Sequence, residues 1–206
     1  MRVGIFGGSF DPIHAGHVAP VRAARAALGL DRVFFLPTAH PPHKPGRHFA
    51  PALARYAMVE LALLEEDGMF ASTHELGEAP AYTVETLEHL RAELPGVELH
   101  LILGSDSFAQ LPSWRRWREL PGLARLAVLT RPGSEAALSP ESLPSELRAA
   151  FDDGRIVAVE HQPVALSATE LRAILARGGE PPAGSLHPLV LNYARKYRLY
   201  DETSAR

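Results

Sequence analysis

The stretch that decides the fold reads Arg2-Val3-Gly4-Ile5-Phe6-Gly7-Gly8-Ser9-Phe10-Asp11-Pro12-Ile13-His14-Ala15-Gly16-His17. Its apolar start predicts a β-strand over residues 2–6, and a helical pattern follows over residues 14–28. The adjacent glycines Gly7 and Gly8 let backbone N–H groups come close to a polyanion. His14 and His17 are three residues apart, so they share one face at the N-terminus of the helix, where anions are favoured. Two imidazoles at this point can donate hydrogen bonds to phosphate oxygens.

Neither common nucleotide-binding fingerprint is present in this stretch. It contains no Gly-x-x-x-x-Gly-Lys-Ser/Thr and no Gly-x-Gly-x-x-Gly, so a P-loop kinase and an ordinary dehydrogenase both lose support. The histidine pair also has two plainer interpretations, because it can cap the helix or bind zinc.

Short apolar runs alternate with longer amphipathic stretches along the rest of the chain. Strands are predicted over residues 2–6, 32–36, 70–73, 98–103, 125–130 and 155–159, and helices over residues 14–28, 51–66, 84–94, 140–151 and 187–200. Strands separated by helix-length segments imply crossover connections. We therefore expect an α/β fold, a Rossmann-like, doubly wound and mainly parallel sheet. One domain should span residues 1–206, with a small C-terminal helical part from about residue 160 to 206.

Composition excludes several classes of protein. The 206 residues carry a formal net charge of -3 and no cysteine, so disulfides and thiolate chemistry are excluded, and nothing attracts nucleic acid in general. No apolar run approaches the ~18 residues of a membrane span. We expect a cytoplasmic protein with no nucleic-acid or membrane partner, and a homo-oligomer is compatible with the sequence. His40, His43 and His48 lack a cysteine or carboxylate cluster to complete a metal site, so none is predicted.

A second motif lies late in the chain, at Leu166-Ser167-Ala168-Thr169-Glu170-Leu171-Arg172. Ser167 and Glu170 have the spacing of a capping box, so a helix should begin at Ser167. Capping does not account for Thr169 or Arg172. A hydroxyl and a guanidinium near a helix N-terminus can both reach a phosphate.

Together the two motifs resemble the nucleotidylyltransferase superfamily, which is distantly similar to class I aminoacyl-tRNA synthetases. The first motif matches the family's Gly-x-x-Phe-x-Pro-x-His-x-Gly-His signature, and the second resembles its Ile/Leu-Ser-Ser-Thr-x-x-Arg, with Ala168 in place of the second serine. The resemblance implies that the first segment binds ATP phosphates. The implied ATP-binding residues are Gly7, Gly8, Ser9, Phe10, His14, His17, Ser167, Thr169 and Arg172, of which His14, His17 and Arg172 are the catalytic candidates.

Three further segments resemble the nicotinate-nucleotide branch of that superfamily. They are Pro41-Pro42-His43-Lys44, Tyr82-Thr83-Val84-Glu85-Thr86, and Leu103-Gly104-Ser105-Asp106-Ser107-Phe108 with Trp114 downstream. The resemblance implies that Trp114 stacks on the pyridine ring and that N–H groups near Thr83 and Arg115 hold its carboxylate. It also places Lys44, Asp106 and Arg131 near ATP. Trp114 is equally compatible with a core anchor and Asp106 with a helix cap.

The implied reaction transfers AMP from ATP to nicotinate mononucleotide in NAD biosynthesis, with Mg²⁺ entering together with ATP. ATP should lie over the carboxyl ends of the first and fourth strands. Two alternatives remain open. Phosphopantetheine adenylyltransferase shares the first motif but not the Tyr82 and Trp114 segments. A non-catalytic ATP-binding sensor of the same fold agrees with Ala168 and is opposed by intact His14 and His17.

Overall fold

The computed structural model describes residues 1–40, 48–79, 81–132, 143–162, 164 and 166–201. Its strands are β1 (Arg2–Gly8), β2 (Arg32–Pro37), β3 (Met69–Ala71), β4 (Glu98–Gly104), β5 (Arg125–Thr130) and β6 (Ile156–Glu160). They form one sheet in the order β3-β2-β1-β4-β5-β6. The pairs β1–β4, β4–β5 and β5–β6 are parallel.

Helices connect the strands. They are α1 (Ala15–Leu28), α2 (Ala52–Leu63), α3 (Thr83–Glu93), α4 (Ser105–Ala109), α5 (Leu120–Leu123), α6 (Ser145–Asp152), α7 (Ala168–Ala176) and α8 (Pro188–Lys196). Two 3₁₀ turns, Leu111–Ser113 and Trp117–Glu119, lie between α4 and α5.

The strand order confirms the predicted fold class. The first three strands run outward from β1 in one direction and the next three in the other, which defines a doubly wound sheet. The predicted strands and helices are all found, with most ends displaced by a few residues; residues 140–142 of one predicted helix lie outside the described part. Pro20 lies inside α1, and nothing in the structure explains it.

The Cα positions group into two compact units. Unit 1 comprises Met1–Phe6, Pro20–Phe34 and Tyr82–Pro163, and unit 2 comprises Gly7–Ala19, Phe35–Ala81 and Val164–Arg206. The expected C-terminal helical part contains α7 and α8 and belongs to unit 2. The single-domain organisation over residues 1–206 stays a prediction.

The core of unit 1 is built on its two central strands. Leu126 and Ala127 of β5 point to opposite faces of the sheet, and both are 0% exposed. Burial on both faces is what a parallel sheet covered by helices requires, and it explains why these strands are nearly continuous apolar runs. A Cβ on Gly4 of β1 would lie 2.9 Å from Leu30 Cδ1, so β1 needs glycine at this close approach.

Unit 2 has its own apolar core, which lies beneath the first motif. Phe10, Ile13, Phe35 and Met58 are all buried, and α2 packs against α8. The rings of Phe10 and Phe35 are 5.8 Å apart. The loop that carries the histidines therefore rests on a packed base. Among the residues that the structure describes, no helix is long and apolar enough to cross a membrane.

Candidate active site

His14 and His17 form a reciprocal cap at the N-terminus of α1. The Nδ1 atom of His14 accepts from the backbone N–H of Gly16 at 3.1 Å, and Nδ1 of His17 accepts from the backbone N–H of His14 at 3.3 Å. This arrangement is similar to a capping box, with imidazole nitrogens as acceptors and with the bond to His14 coming from the second helical residue instead of the third. The sequence left helix capping and phosphate binding as separate interpretations of this pair, but the cap uses only one nitrogen of each ring.

The cap fixes the tautomer of both rings. An Nδ1 atom that accepts a hydrogen bond carries no proton, so the proton of the neutral imidazole resides on Nε2. In the neutral form each ring therefore carries its proton on Nε2 while Nδ1 holds the helix. The two ring centroids are 3.9 Å apart, so the imidazoles lie together at the positive end of a helix, a position that favours anions.

His14 stays neutral in the folded protein. Its side chain is buried, and burial lowers its pKa from 6.5 to about 4, because the charged form loses its hydration. At neutral pH His14 is therefore a hydrogen-bond donor without a full charge.

Glycine is required where the histidine rings and Phe10 approach the backbone. A Cβ on Gly16 would lie 2.8 Å from Cε1 of His14, and one on Gly8 would lie 2.8 Å from the Phe10 ring. Among the described residues, no atom lies within 4 Å of a Cβ placed on Gly7. Phe10 itself is buried and contacts His17 edge to face at 5.3 Å, so it supports the imidazole from below.

Arg55 of α2 holds the first motif in place, and the sequence analysis missed it. It is 1% exposed. Its guanidinium donates to the Ser9 carbonyl at 2.7 Å, the Thr38 carbonyl at 2.9 Å, the Ala39 carbonyl at 3.2 Å and the Ala50 carbonyl at 2.9 Å. Burial lowers its pKa, and the charge of Asp11 opposes that shift. One cation thus joins the loop after β1 to the loop after β2.

The second motif begins α7 as predicted. Ser167 caps the helix, and its capping box with Glu170 is complete. The hydrogen bonds of Glu170 with Ser167 lower the pKa of the Glu170 carboxyl. The Leu166 carbonyl lies 3.7 Å from a Cβ placed on Gly16. The two motifs are therefore neighbours within unit 2.

Arg172 connects the second motif to the first. Its Nη1 donates to the Asp11 carbonyl at 2.5 Å, and its Nη2 donates to Thr169 Oγ1 at 3.0 Å. Unit 2 therefore brings together the histidine pair, Thr169 and Arg172, which the sequence named as phosphate-binding residues.

In unit 1, the Arg115 side chain lies at the first turn of α3, the helix that begins at Thr83. Tyr82 is the N-cap and Thr83 the first helical residue, so the N–H of Thr83 is among those without an acceptor inside the helix. The Arg115 guanidinium lies over the Tyr82 ring at 4.6 Å and pairs with Glu85 at 3.3 Å. A helix N-terminus beside a guanidinium is suited to bind a carboxylate.

The two tryptophans have different environments. Trp117 is buried and acts as a core anchor, whereas Trp114 is half-buried. Arg116 ties this segment to α3, since its guanidinium donates to Glu88 at 3.1 and 2.6 Å and also to Glu119. Trp114 thus keeps surface for a ligand on a segment that is fixed to α3.

The remaining candidates lie in loops or outside the described part. Asp106 is exposed in α4, whose N-cap is Gly104 without a side-chain cap. Arg131 is exposed directly after β5. Lys44, with the rest of Pro41-Pro42-His43-Lys44, lies outside the described residues, as does Gly133 after Arg131.

Comparison with known proteins agrees with this geometry. Residues 5–174 match the family model described as cytidylyltransferase-like. The chain therefore belongs to the cytidylyltransferase-like family of nucleotidyl-transferring enzymes, which confirms the superfamily resemblance.

Several of the most similar relatives are named for one branch of this family. A protein of Solibacter usitatus named "Probable nicotinate-nucleotide adenylyltransferase" is 42% identical over 202 residues, covering 98% of this chain and 100% of the relative. One of Laribacter hongkongensis with the same name is 44% identical, covering 99% and 96%. A solved structure of Plasmodium falciparum nicotinic acid mononucleotide adenylyltransferase, complexed with NaAD, has the same fold at 19% identity, with a TM-score of 0.75 and 97% of each chain covered.

The Arg55 contacts generate a stability prediction. Arg55→Met should lower the free energy of unfolding by about 3–5 kcal/mol, because buried carbonyls lose their donor. Arg118→Met is the control, since this exposed arginine pairs with Glu146 at the surface and its contact with the Trp117 ring can be kept by a methionine side chain. It should change stability by less than about 1 kcal/mol. Urea unfolding of the three proteins measures both effects. Equal stability of the two variants would contradict the role of Arg55 in joining the loops after β1 and β2.

The lowered pKa of His14 predicts a pH dependence of stability. The unfolded chain takes up a proton near pH 6.5 and the folded chain only near pH 4. The contribution of neutral His14 to the free energy of unfolding is therefore fully present above pH 6.5. It falls by up to about 3 kcal/mol as the pH drops to 4. His14→Asn keeps an acceptor at the N-cap and should remove this part of the slope. Unfolding at several pH values tests it, with the exposed His89→Asn as control; an unchanged slope in His14→Asn would contradict a buried neutral His14.

Proposed function

We propose that this chain transfers AMP from ATP to nicotinate mononucleotide, giving nicotinate adenine dinucleotide and pyrophosphate. The observation that carries the proposal is the pair of Nε2–H donors of His14 and His17, fixed by the cap at the N-terminus of α1. The relatives with the matching name at 42% and 44% identity support the choice of substrates.

The reaction needs no nucleophilic side chain. A phosphate oxygen of the mononucleotide attacks the α-phosphorus of ATP, a new P–O bond forms, and the bond from that phosphorus to the bridging oxygen of the β-phosphate breaks. Pyrophosphate leaves with the bonding electron pair. Negative charge shifts to the phosphoryl oxygens and the leaving group, so catalysis consists of positioning and electrostatic stabilisation.

The residues of unit 2 bind the phosphate chain. His17 donates to the α-phosphate in the transition state, and His14 donates beside it. Ser9, Thr169 and Arg172 bind the leaving β- and γ-phosphates, and Lys44 contributes a further charge there. Because the cap holds both imidazoles before substrate arrives, little reorganisation is needed during the reaction.

The nucleotide arrives as its magnesium complex. Transfer from ATP generally uses a divalent metal ion that neutralises charge on the phosphates. The groups of unit 2 named above are imidazoles, hydroxyls and a guanidinium, and the buried Asp11 is engaged by Tyr200 and Ala50. Mg²⁺ that enters with ATP would therefore be held mainly by the phosphates and water, and it would neutralise charge on the phosphates. Asp106 lies near the ribose and Arg131 near the nucleotide.

Residues of unit 1 bind the pyridine base. The N–H groups at the start of α3 and near Arg115 donate hydrogen bonds to the nicotinate carboxylate, and the exposed part of Trp114 stacks on the ring. The Arg115 guanidinium is held at this helix, because it lies over the ring of Tyr82 and Tyr82 occupies the N-cap position of α3.

The experiment that tests the proposal is the release of pyrophosphate from ATP. The purified chain is mixed with magnesium, ATP and either nicotinate mononucleotide or phosphopantetheine. Pyrophosphate with nicotinate mononucleotide supports the proposal. Release with phosphopantetheine instead, or ATP binding without any release, overturns it in favour of the other adenylyltransferase or of a sensor.

The catalytic role of His17 gives the first prediction of activity. His17→Ala should lower kcat by roughly 10²–10³, because a donor to the developing charge is lost. It also removes the acceptor for the His14 N–H, so stability can fall by about 1 kcal/mol. His17→Gln separates the two effects, since glutamine at the third helical position restores the capping acceptor. The melting temperature should recover in His17→Gln while kcat stays low. Full recovery of kcat in this variant would mean that His17 only caps the helix and has no catalytic role.

The donor pair of unit 1 predicts the choice of base. A carboxylate accepts from both N–H donors, whereas an amide offers one acceptor and turns an N–H toward an N–H. Nicotinate mononucleotide should therefore be preferred over nicotinamide mononucleotide by on the order of 10² or more, since an unpaired buried group costs about 1–3 kcal/mol. Trp114→Ala should weaken both substrates and preserve the ratio.

Values of kcat/KM for both mononucleotides, in the parent and in Trp114→Ala, check this prediction. Equal use of both by the parent would remove the carboxylate site. Loss of selectivity in the variant would mean that the tryptophan itself distinguishes the bases.

A further inference from the structure

Asp11 of the first motif is bound from the far end of the chain. It is 2% exposed. Its Oδ1 accepts from the Tyr200 hydroxyl at 2.9 Å and from the Ala50 N–H at 3.2 Å. The bond to Tyr200 joins residues 189 positions apart. All three residues belong to unit 2, so the C-terminal segment, residues 197–201, reaches the loop that carries the histidines.

The other side of Asp11 faces Arg172. Oδ2 is buried without a hydrogen-bond partner among the described residues, and it lies 3.8 Å from Nη1 of Arg172. The same nitrogen donates to the Asp11 carbonyl. A buried carboxylate needs compensating charge, and both Arg172 and Arg55 supply it. Asp11 thus binds Tyr200 through Oδ1 and contacts Arg172 through its carbonyl oxygen and, at 3.8 Å, through Oδ2.

The Tyr200 hydroxyl is suited to act as a constant hydrogen-bond donor to Asp11. Burial raises its pKa well above the usual value, and the charge of Asp11 and the hydrogen bond to it add to that rise. The hydroxyl therefore stays protonated and donates to Asp11 at every physiological pH. Beside it is a cavity of about 360 Å³, lined by Asp11, Arg172 and residues 197–201 among others. This space allows Arg172 to take other orientations when the Asp11 contact is lost.

We infer that Asp11 and Tyr200 are positioning residues, which hold the Arg172 guanidinium in the orientation that binds the leaving phosphates. The inference rests on the proposed function. The side chain of Arg172 is 20% exposed, so packing alone does not restrain it fully. Fixing a long side chain before ATP binds removes part of the entropy cost of binding. Tyr200 thereby supports the ATP site through Asp11.

The test removes the Tyr200 hydroxyl alone. Tyr200→Phe keeps the ring and should raise KM for ATP by roughly 5- to 10-fold, since hydrogen bonds to charged groups are strong. KM for nicotinate mononucleotide should change by less than about twofold, because Arg172 acts only on ATP. Tyr197→Phe is the matched control, as the same hydroxyl is lost from an exposed ring of the same segment, and it should behave as the parent.

A double-mutant cycle distinguishes positioning from general support. Arg172→Lys cannot copy bidentate phosphate binding. If Tyr200 acts through Arg172, Tyr200→Phe should add almost no further rise of KM for ATP in the Arg172→Lys background. Multiplication of the two effects would overturn the inference. Asp11→Asn keeps the Oδ1 acceptor and removes the charge, so it should raise KM for ATP at least as much as Tyr200→Phe, with thermal unfolding used to verify that it is folded.

Calorimetric titration with ATP separates this inference from the proposed function. A parent that binds ATP but releases no pyrophosphate overturns the adenylyl transfer, while the ATP affinities of Tyr200→Phe and Tyr197→Phe still test the positioning role. Equal ATP affinity of these two variants overturns that role even if the parent is fully active. A parent that binds no ATP overturns both.

Discussion

The buried guanidinium of Arg55 is the interaction on which unit 2 depends. It has no acidic partner at hydrogen-bond distance among the described residues and is instead satisfied by backbone carbonyls of the loops after β1 and β2. An arginine fork matches several carbonyls at fixed angles, so these loops cannot shift independently. The cost of burying the charge is reduced by Asp11. The positions of the histidine cap and of Arg172 both follow from this arrangement.

Structure and chemistry use the same residues in the first motif. His14 and His17 hold the helix with Nδ1, and in the proposed mechanism Nε2–H donates to phosphate, so a substitution at either should affect folding and phosphate binding together. The sequence treated helix capping and phosphate binding as rival interpretations because spacing alone does not reveal that an imidazole has two nitrogens to divide between them. The capping box of Ser167 and Glu170 was predictable, since both partners lie within one helical turn.

Local patterns predicted the sheet and its helices because periodicity and glycine position carry that information within a short window. Local patterns could not predict contacts between residues that are distant in the sequence. Arg55 shares a helix face with the buried Met58 and Val59, but the loop carbonyls that it binds come from other parts of the chain. Tyr200 is joined to Asp11 across almost the whole chain. Trp117 proved buried and Trp114 half-exposed, although both occur in the same arginine-rich context. Contributions of the proposed site residues to substrate binding stay predictions.

The attachment of the Trp114 segment to α3 has a consequence for how base preference can change. Arg115 rests on Tyr82 and pairs with Glu85, and Arg116 pairs with Glu88. Helix and segment are therefore held together by charges on both parts, and in the proposed function they bind the base together. Transplanting either part alone into a related enzyme would break these pairs, whereas exchanging both together would carry the base preference with it. Drift in specificity within the family should accordingly proceed by coordinated replacement at these two places in the chain.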